Sequence, residues 1–165
     1  MNSVRIYDNL LSAEDLKFIK DYYEFSNSTG ETNLIDAMDK FPKKEVLYSL
    51  AFDVDNTISK PCIAHSIAIE TYSSKNKDFV YWEPHHDGKE SRVITLAFID
   101  KEHTNDWVGG ELDIYSSLDV FDYPNNKQRI DPMPGRVIVF NSSMIHCIRP
   151  YFGKTPRMSV SIGWE

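Results

Sequence analysis

A mainly β fold, built as an antiparallel sandwich or barrel with helices only at its N-terminal end, is predicted by three observations. Apolar residues recur at helical spacing only before Pro61, and after it the period changes to two. The segments joining the later strands, "VGG", "YPNN" and "PMPG", are turn chemistry and leave no room for the crossover helices of a parallel sheet. At 165 residues with 41% apolar content, the chain is expected to form one domain. Residues 1–60 would give helical support and 61–165 the β core.

The first helix is announced by "LLSAEDLKFIKDYYEF". Ser12 is the expected N-cap with Asp15 three residues on, and Leu11 and Leu16 stand where a hydrophobic staple closes. Leu16, Ile19 and Tyr23 mark the inward face, and "SNSTGETN" reads as the loop that follows. Pro42 suits the first turn of a second helix whose apolar stripe is Val46, Leu50 and Val54, with Leu47 and Ala51 beside it, ending before Pro61. The strands follow as "CIAHSIAIETY", "RVITLAFI", "ELDIY", "GRVIVFN" and "RMSVSIGW", short and rich in β-branched or aromatic residues, within a set of seven or more. No internal repeat or low-complexity tract interrupts them.

Composition excludes several function classes. No run of about 18 apolar residues is present, so no membrane-spanning segment is expected. The opening "MNSVRIYDNL" has no apolar signal region, and Cys62 and Cys147 are the only cysteines, so the expectation is a cytoplasmic protein with reduced thiols. A net charge of −7 disfavours nucleic acid as partner, because phosphate binding rests on clustered Lys and Arg.

The chemistry concentrates in "YWEPHHDG". In extended chain, positions i and i+2 share a face, so His85 and Asp87 can converge on one metal ion while His86 points away. A third ligand must come from elsewhere. His103 in "DKEHTNDW" reads as a surface residue and His65 as a histidine among isoleucines, whereas His146 in "FNSSMIHCIRP" stays open as ligand or core residue. Two imidazoles and a carboxylate suit a non-haem iron(II) oxygenase, and equally a catalytic zinc. Further on, Arg157 and Ser159 share a strand face in "RMSVS", a fork for a carboxylate through charge-assisted hydrogen bonds of roughly 1.5–3 kcal/mol each.

In this order, "EPHHD", "GGELDIY", "PGRVIVFNSSMIH" and "RPYFGKTPRMSVSIGW" resemble the iron(II)- and 2-oxoglutarate-dependent dioxygenases, and within them the prolyl 4-hydroxylase-like group. The resemblance runs from about Val4 to Trp164, with its specific part between Tyr72 and Trp164. It implies a double-stranded β-helix, or cupin-like jelly roll. It makes His85, Asp87 and His146 the Fe(II) ligands and Arg157 the catalytic partner of the 2-oxoglutarate C5 carboxylate, with Ser159 assisting and Tyr72 directed toward the cosubstrate. The cofactors implied are Fe(II), 2-oxoglutarate as cosubstrate and O2, with ascorbate as reductant.

The same analogy places Tyr115 and Trp164 near the pocket mouth, with ordinary aromatic core packing at least as open a reading, and Cys147, adjoining His146, is expected to face the other way into the core. Phe98 stands where some prolyl hydroxylases have a tyrosine, and "SSKNKD" lengthens the approach from Tyr72 to His85. Because Asp87 is retained, hydroxylation is expected rather than halogenation. The substrate implied is a peptidyl prolyl residue, with release of succinate and CO2. The alternatives are the same chemistry on a free amino acid or other small molecule, or a non-enzymatic or zinc-binding jelly roll. The sequence assigns no oligomeric state.

Overall fold

A computed structural model of the chain describes residues 4–29, 39–58, 67–72, 84–87, 92–99, 108–116, 126–152 and 157–165. The elements run β1 (Arg5–Tyr7), α1 (Ala13–Thr29), α2 (Lys44–Phe52), β2 (Ile67–Tyr72), β3 (Val93–Phe98), β4 (Val108–Gly109), β5 (Leu112–Tyr115), β6 (Lys127–Ile130), β7 (Val137–Asn141), β8 (His146–Ile148), β9 (Tyr151–Phe152) and β10 (Arg157–Trp164). A five-stranded sheet has the order β1-β7-β3-β10-β2, a three-stranded sheet the order β6-β5-β8, and β4 pairs with β9. Every pairing is antiparallel, as the period-two pattern without crossover helices requires.

The central strands β3 and β7 of the larger sheet are buried on both faces, and their alternation separates two cores. Val93, Ala97, Val137, Val139, Val160, Ile162 and Trp164 face the helices and pack with Leu11, Ile19, Leu47, Tyr48 and Ala51. Ile94, Leu96, Phe98, Ile138 and Phe140 face the other way, toward Leu112, Ile114 and Ile130 of the smaller sheet and Met144. This explains why "VITLAF" is almost continuously apolar, since every residue of β3 is buried. Its one polar member, Thr95, accepts a hydrogen bond at 2.7 Å from Nε1 of Trp164. Trp164 meets Tyr48 edge to face at 6.0 Å. It therefore belongs to the helix-side core, the second of the two readings open for it, because its parity along β10 is that of Val160 and Ile162.

The expectation for the start of α1 holds, while the end of α1 and the start of the second helix shift. Ser12 and Asp15 form the capping box: the Asp15 amide donates to Ser12 Oγ at 3.2 Å and the Ser12 amide to Asp15 Oδ2 at 2.8 Å. Leu11 is buried and Leu16 packs against the same core, as a staple should. α1 nevertheless continues through Ser26–Thr29, where a loop was expected, because adding a residue to a nucleated helix costs far less than starting one.

The second helix begins at Lys44 rather than around Pro42, with Lys43 left-handed at φ 56° as its N-cap. Its buried face is Leu47, Tyr48 and Ala51, while Val46 is exposed. The stripe is rotated because Tyr48 and Ala51 meet the sheet, and the helix stops at Phe52, well short of Pro61. Strands β1, β4, β6 and β9 were not expected, being short or, in β6, mostly exposed and polar. Cys62, His65, Tyr81, Trp82, His103 and the "SSKNKD" insert lie outside the described residues.

One glycine ties the two halves of the fold. Gly135, in the predicted "PMPG" turn, has φ +78° and a position where a Cβ would fall 2.5 Å from the Leu11 carbonyl oxygen. Its carbonyl accepts from the Leu11 amide at 3.2 Å and its amide donates to the Phe98 carbonyl at 3.0 Å. Gly135→Ala is expected to destabilise the protein by about 2–4 kcal/mol, from left-handed strain plus the backbone clash. Urea unfolding followed by circular dichroism would measure it, and a loss below about 1 kcal/mol would mean that the α1 approach can yield.

Candidate metal centre

The strand pairing brings two distant histidines together. His85 forms an isolated antiparallel bridge with His146: the His85 amide donates to the His146 carbonyl at 3.0 Å and the His146 amide to the His85 carbonyl at 2.8 Å. Their rings lie 4.7 Å apart between centroids. The Asp87 amide continues the pairing by donating to the Ser142 carbonyl at 3.3 Å, which turns the Asp87 carboxylate toward the same space. Asp87 Oδ1 is 3.6 Å from His85 Nε2, and Asp87 Oδ2 is 3.5 Å from His146 Nε2.

Among the described residues these three are the group that could hold a metal ion, with one donor atom from each lying within 4.8 Å of the others. His86 is exposed and outside that group, as the period-two argument expects.

The orientation of His146 is set from behind. Its Nδ1 lies 3.0 Å from the Met144 carbonyl, which can only accept, so the proton sits on Nδ1 and the Nε2 lone pair faces Asp87 and His85. Phe140 packs its ring against the imidazole at 4.9 Å, near-perpendicular, and His146 is almost fully buried. The donor set fits a divalent transition metal: two imidazole nitrogens, one preset by hydrogen bonding, and one carboxylate. The supporting Met144 carbonyl and Phe140 ring were not foreseen. A backbone acceptor leaves no sequence signal, and Phe140 reads as one more core residue of a strand.

By its parity along β10, Ser159 falls on the inner side of the larger sheet. Ser159 is buried and Cα-paired with Phe98 on β3 and Glu70 on β2. Phe98 thus stands directly across from Ser159, and its ring belongs to the core between the sheets. Arg157 precedes Ser159 by two residues and is the register partner of Tyr72. The side chains of Arg157 and Tyr72 lie outside the described residues.

Tyr115 takes the core-packing reading. It is buried on the outer face of the smaller sheet, with its hydroxyl 3.7 Å from Cys147 Sγ, because its parity along β5 is opposite to that of Leu112 and Ile114. Cys147 does face away from His146, and burial pushes its thiol up, against the lowering contact from Tyr115.

That outer face carries a feature the sequence did not disclose. Asp113, buried, takes a two-point contact from Arg129, Nε at 2.8 Å and Nη2 at 3.0 Å, with Lys127 Nζ at 3.4 Å and Arg149 Nη1 at 3.8 Å. The carboxylate on β5 thereby ties β6 and the segment after β8 into one unit beneath His146. Burial raises the Asp113 pKa, but the hydrogen bond and charge of Arg129 and the charge of Lys127 outweigh it and hold the carboxyl below the usual range.

Comparison with known proteins agrees with the geometry. A model of the 2OG-Fe(II) oxygenase superfamily matches residues 70–164, more than half of the chain. The chain belongs to that superfamily, whose chemistry uses Fe(II), 2-oxoglutarate and O2. A search of curated proteins gives no significant match.

Among solved structures, a Pseudomonas putida prolyl-4-hydroxylase superposes with a TM-score of 0.67 at 16% identity, over 99% of this chain and 88% of that one. A prolyl 4-hydroxylase from Phytophthora capsici gives 0.66 at 15% identity over 98% of this chain, which spans 58% of that protein. A Trichoplax adhaerens prolyl hydroxylase, in complex with a hypoxia inducible factor peptide fragment, gives 0.63 at 14% identity over 99% and 84%. At these identities the likeness establishes the fold, the jelly roll expected from the sequence. No described helix is long and apolar enough to cross a membrane.

The charge cluster makes a pH prediction. A carboxyl whose folded pKa is depressed contributes stability that is fully present above its unfolded value of about 3.9 and is lost as pH falls through the folded value. Urea midpoints measured from pH 6 to pH 2.5 should therefore fall more steeply below about pH 4 for the native chain than for Asp113→Asn. Parallel curves would show that Asp113 titrates alike in both states.

Proposed function

We propose that the protein is an Fe(II)- and 2-oxoglutarate-dependent dioxygenase that hydroxylates a peptidyl prolyl residue, releasing succinate and CO2. The observation that carries the reading is the convergence of His85, Asp87 and His146 in a chain of this superfamily. Those three residues would hold the iron. The supporting observations for 2-oxoglutarate are the buried Ser159 hydroxyl and the register that sets Arg157 beside Tyr72, two residues from Ser159. The prolyl assignment is supported by likeness to prolyl hydroxylases, one of them holding a peptide.

When bound, iron and 2-oxoglutarate supply the activation of dioxygen and the oxidation of a substrate C–H bond. The chain's own residues do the positioning. His146 presents Nε2 because Met144 holds its Nδ1 proton, and the Asp87 carboxylate occupies the position that a halogenating relative leaves open. Arg157, with Ser159 assisting, would anchor the far carboxylate of 2-oxoglutarate through charge-assisted hydrogen bonds. Ascorbate would serve as reductant for enzyme that has oxidised without substrate. The site is proposed to lie in a single domain, residues 1–60 supporting a jelly-roll core of 61–165, in the cytoplasm.

With Fe(II) and ascorbate, purified protein should convert 2-oxoglutarate to succinate, slowly in the absence of a prime substrate. Tight zinc binding without any turnover under reducing conditions would favour the zinc alternative instead. His85→Ala should lower iron affinity at least about 100-fold, whereas His86→Ala should leave it within about threefold. Titration with Fe(II) under anaerobic conditions checks this, and the reverse order would place the wrong histidine in the site. Arg157→Ala should raise the KM for 2-oxoglutarate by about 10- to 100-fold with little change in iron affinity, since it removes one charged anchor. Equal loss of both would make Arg157 structural.

A further inference from the structure

Two of the three donor residues lean on a single turn. β7 ends at Asn141 and β8 begins at His146, and the Met144 amide closes the link by donating to the Asn141 carbonyl at 2.9 Å. Within that turn the Ser142 carbonyl accepts the Asp87 amide at 3.3 Å, and the Met144 carbonyl lies 3.0 Å from His146 Nδ1. The Ser142 amide donates to the Arg92 carbonyl at 3.0 Å, which ties the turn to the residue just before β3. Met144 governs the His146 ring directly. The aim of the Ser142 carbonyl, and so the placing of Asp87, needs a cause of its own.

That cause is the Asn141 side chain. Its Oδ1 accepts from the Ser143 amide at 2.9 Å and from the Ser143 hydroxyl at 2.6 Å. A backbone amide can only donate, so the oxygen of the carboxamide is the end that faces it. The Ser143 amide and the Ser142 carbonyl belong to one peptide group, planar and trans, in which N–H and C=O point in opposite directions. Holding the N–H from one side therefore aims the C=O out of the other, at Asp87. Ser142 is buried, so water is poorly placed to hold that peptide instead. Asn141 itself has the parity of Val137 and Val139 along β7, opposite to that of Phe140, which meets the His146 ring. It acts through the peptide and not as a ligand.

We infer that Asn141 is a positioning residue of the metal centre: its carboxamide oxygen fixes the Ser142–Ser143 peptide, and that peptide sets the Asp87 carboxylate against His85 and His146. The inference rests on reading those three residues as the metal centre. It adds a residue to that centre which lies in a turn and donates nothing to the ion. Any side chain that offers an oxygen at this position should serve, because what is needed is an acceptor two residues before the Ser143 amide.

The test compares the native chain with Asn141→Ala, Asn141→Asp and Asn141→Ser. Anaerobic titration with Co(II) reads affinity and the visible spectrum of the bound ion, and hydrogen exchange of the metal-free protein reads the Asp87 amide. Asn141→Ala should lower Co(II) affinity about tenfold and change the spectrum, in the range seen when a supporting hydrogen bond is removed from a metal site. Its Asp87 amide should exchange about fivefold faster, while the Ile99 amide, bonded to the Met158 carbonyl at 3.0 Å, keeps its protection. Asn141→Asp keeps the acceptor and should stay within about threefold of native in both readings. Asn141→Ser keeps a weaker acceptor and should fall between the two, and it serves in place of Asn141→Ala should that variant not fold.

Native affinity in Asn141→Ala, or failure of Asn141→Asp to restore it, overturns the inference. Equal loss of protection at Asp87 and Ile99 also overturns it, since the residue would then support the fold at large. His85→Ala separates this failure from that of the centre. If His85→Ala loses Co(II) and Asn141→Ala does not, only the role of Asn141 falls. If the native chain and His85→Ala bind Co(II) alike, the metal-centre reading falls and the inference with it.

Discussion

The pair of backbone hydrogen bonds that joins His85 to His146 is the constraint on which the centre depends. Two residues far apart in the sequence are held in one antiparallel bridge, so their side chains share a face, and the Asp87 amide bonded to Ser142 extends the pairing by one step. With the backbone held in this way, one donor atom from each of the three residues lies within 4.8 Å of the others. A slip of one residue in either strand would turn His146 outward and present Cys147 in its place. The ligand set is therefore as secure as the register of the smaller sheet.

That register is defended from both sides. On the inner face, Ile114 and Met144 lie in the core shared with Phe98, Ile138 and Phe140, so a slip would expose several fully buried side chains. On the outer face, Asp113 binds Arg129 and Lys127 of β6 and approaches Arg149 beyond β8, fastening the three strands by charge. A buried carboxylate would be a liability alone. With a two-point guanidinium contact it becomes a register lock, since no neighbouring position offers the same complement.

The larger sheet solves a different problem. Its central strands β3 and β7 are buried on both faces, one against α1 and α2 and the other against the smaller sheet. Gly135 lets the chain before α1 press onto the β6–β7 connection, and the Trp164–Thr95 hydrogen bond seats the end of β10. The inner side is left to carry Ser159 opposite Phe98, next to the register position of Arg157. Support and chemistry occupy opposite faces of the same strands, so the helices can hold the sheet without intruding on the site.

By itself the sequence determined the fold class, the capping box of α1, the long strands and the pairing of His85 with Asp87 as candidate ligands, because each is written in short-range periodicity or spacing. His146 was nominated by its residue type and by resemblance, and only strand pairing brought it beside His85. The same dependence on partners explains the departures and the readings left open. Val46 and Leu47 differ in burial by which neighbour the sheet presents, Trp164 and Tyr115 took faces fixed by strand parity, and β6 has too little apolar character to announce itself. Asp113 and the Met144 carbonyl have meaning only in three dimensions, one as a charge among distant cations and the other as a backbone acceptor. Local sequence sets periodicity and caps, while contacts between residues far apart in the chain decide which face a side chain meets and what it meets there.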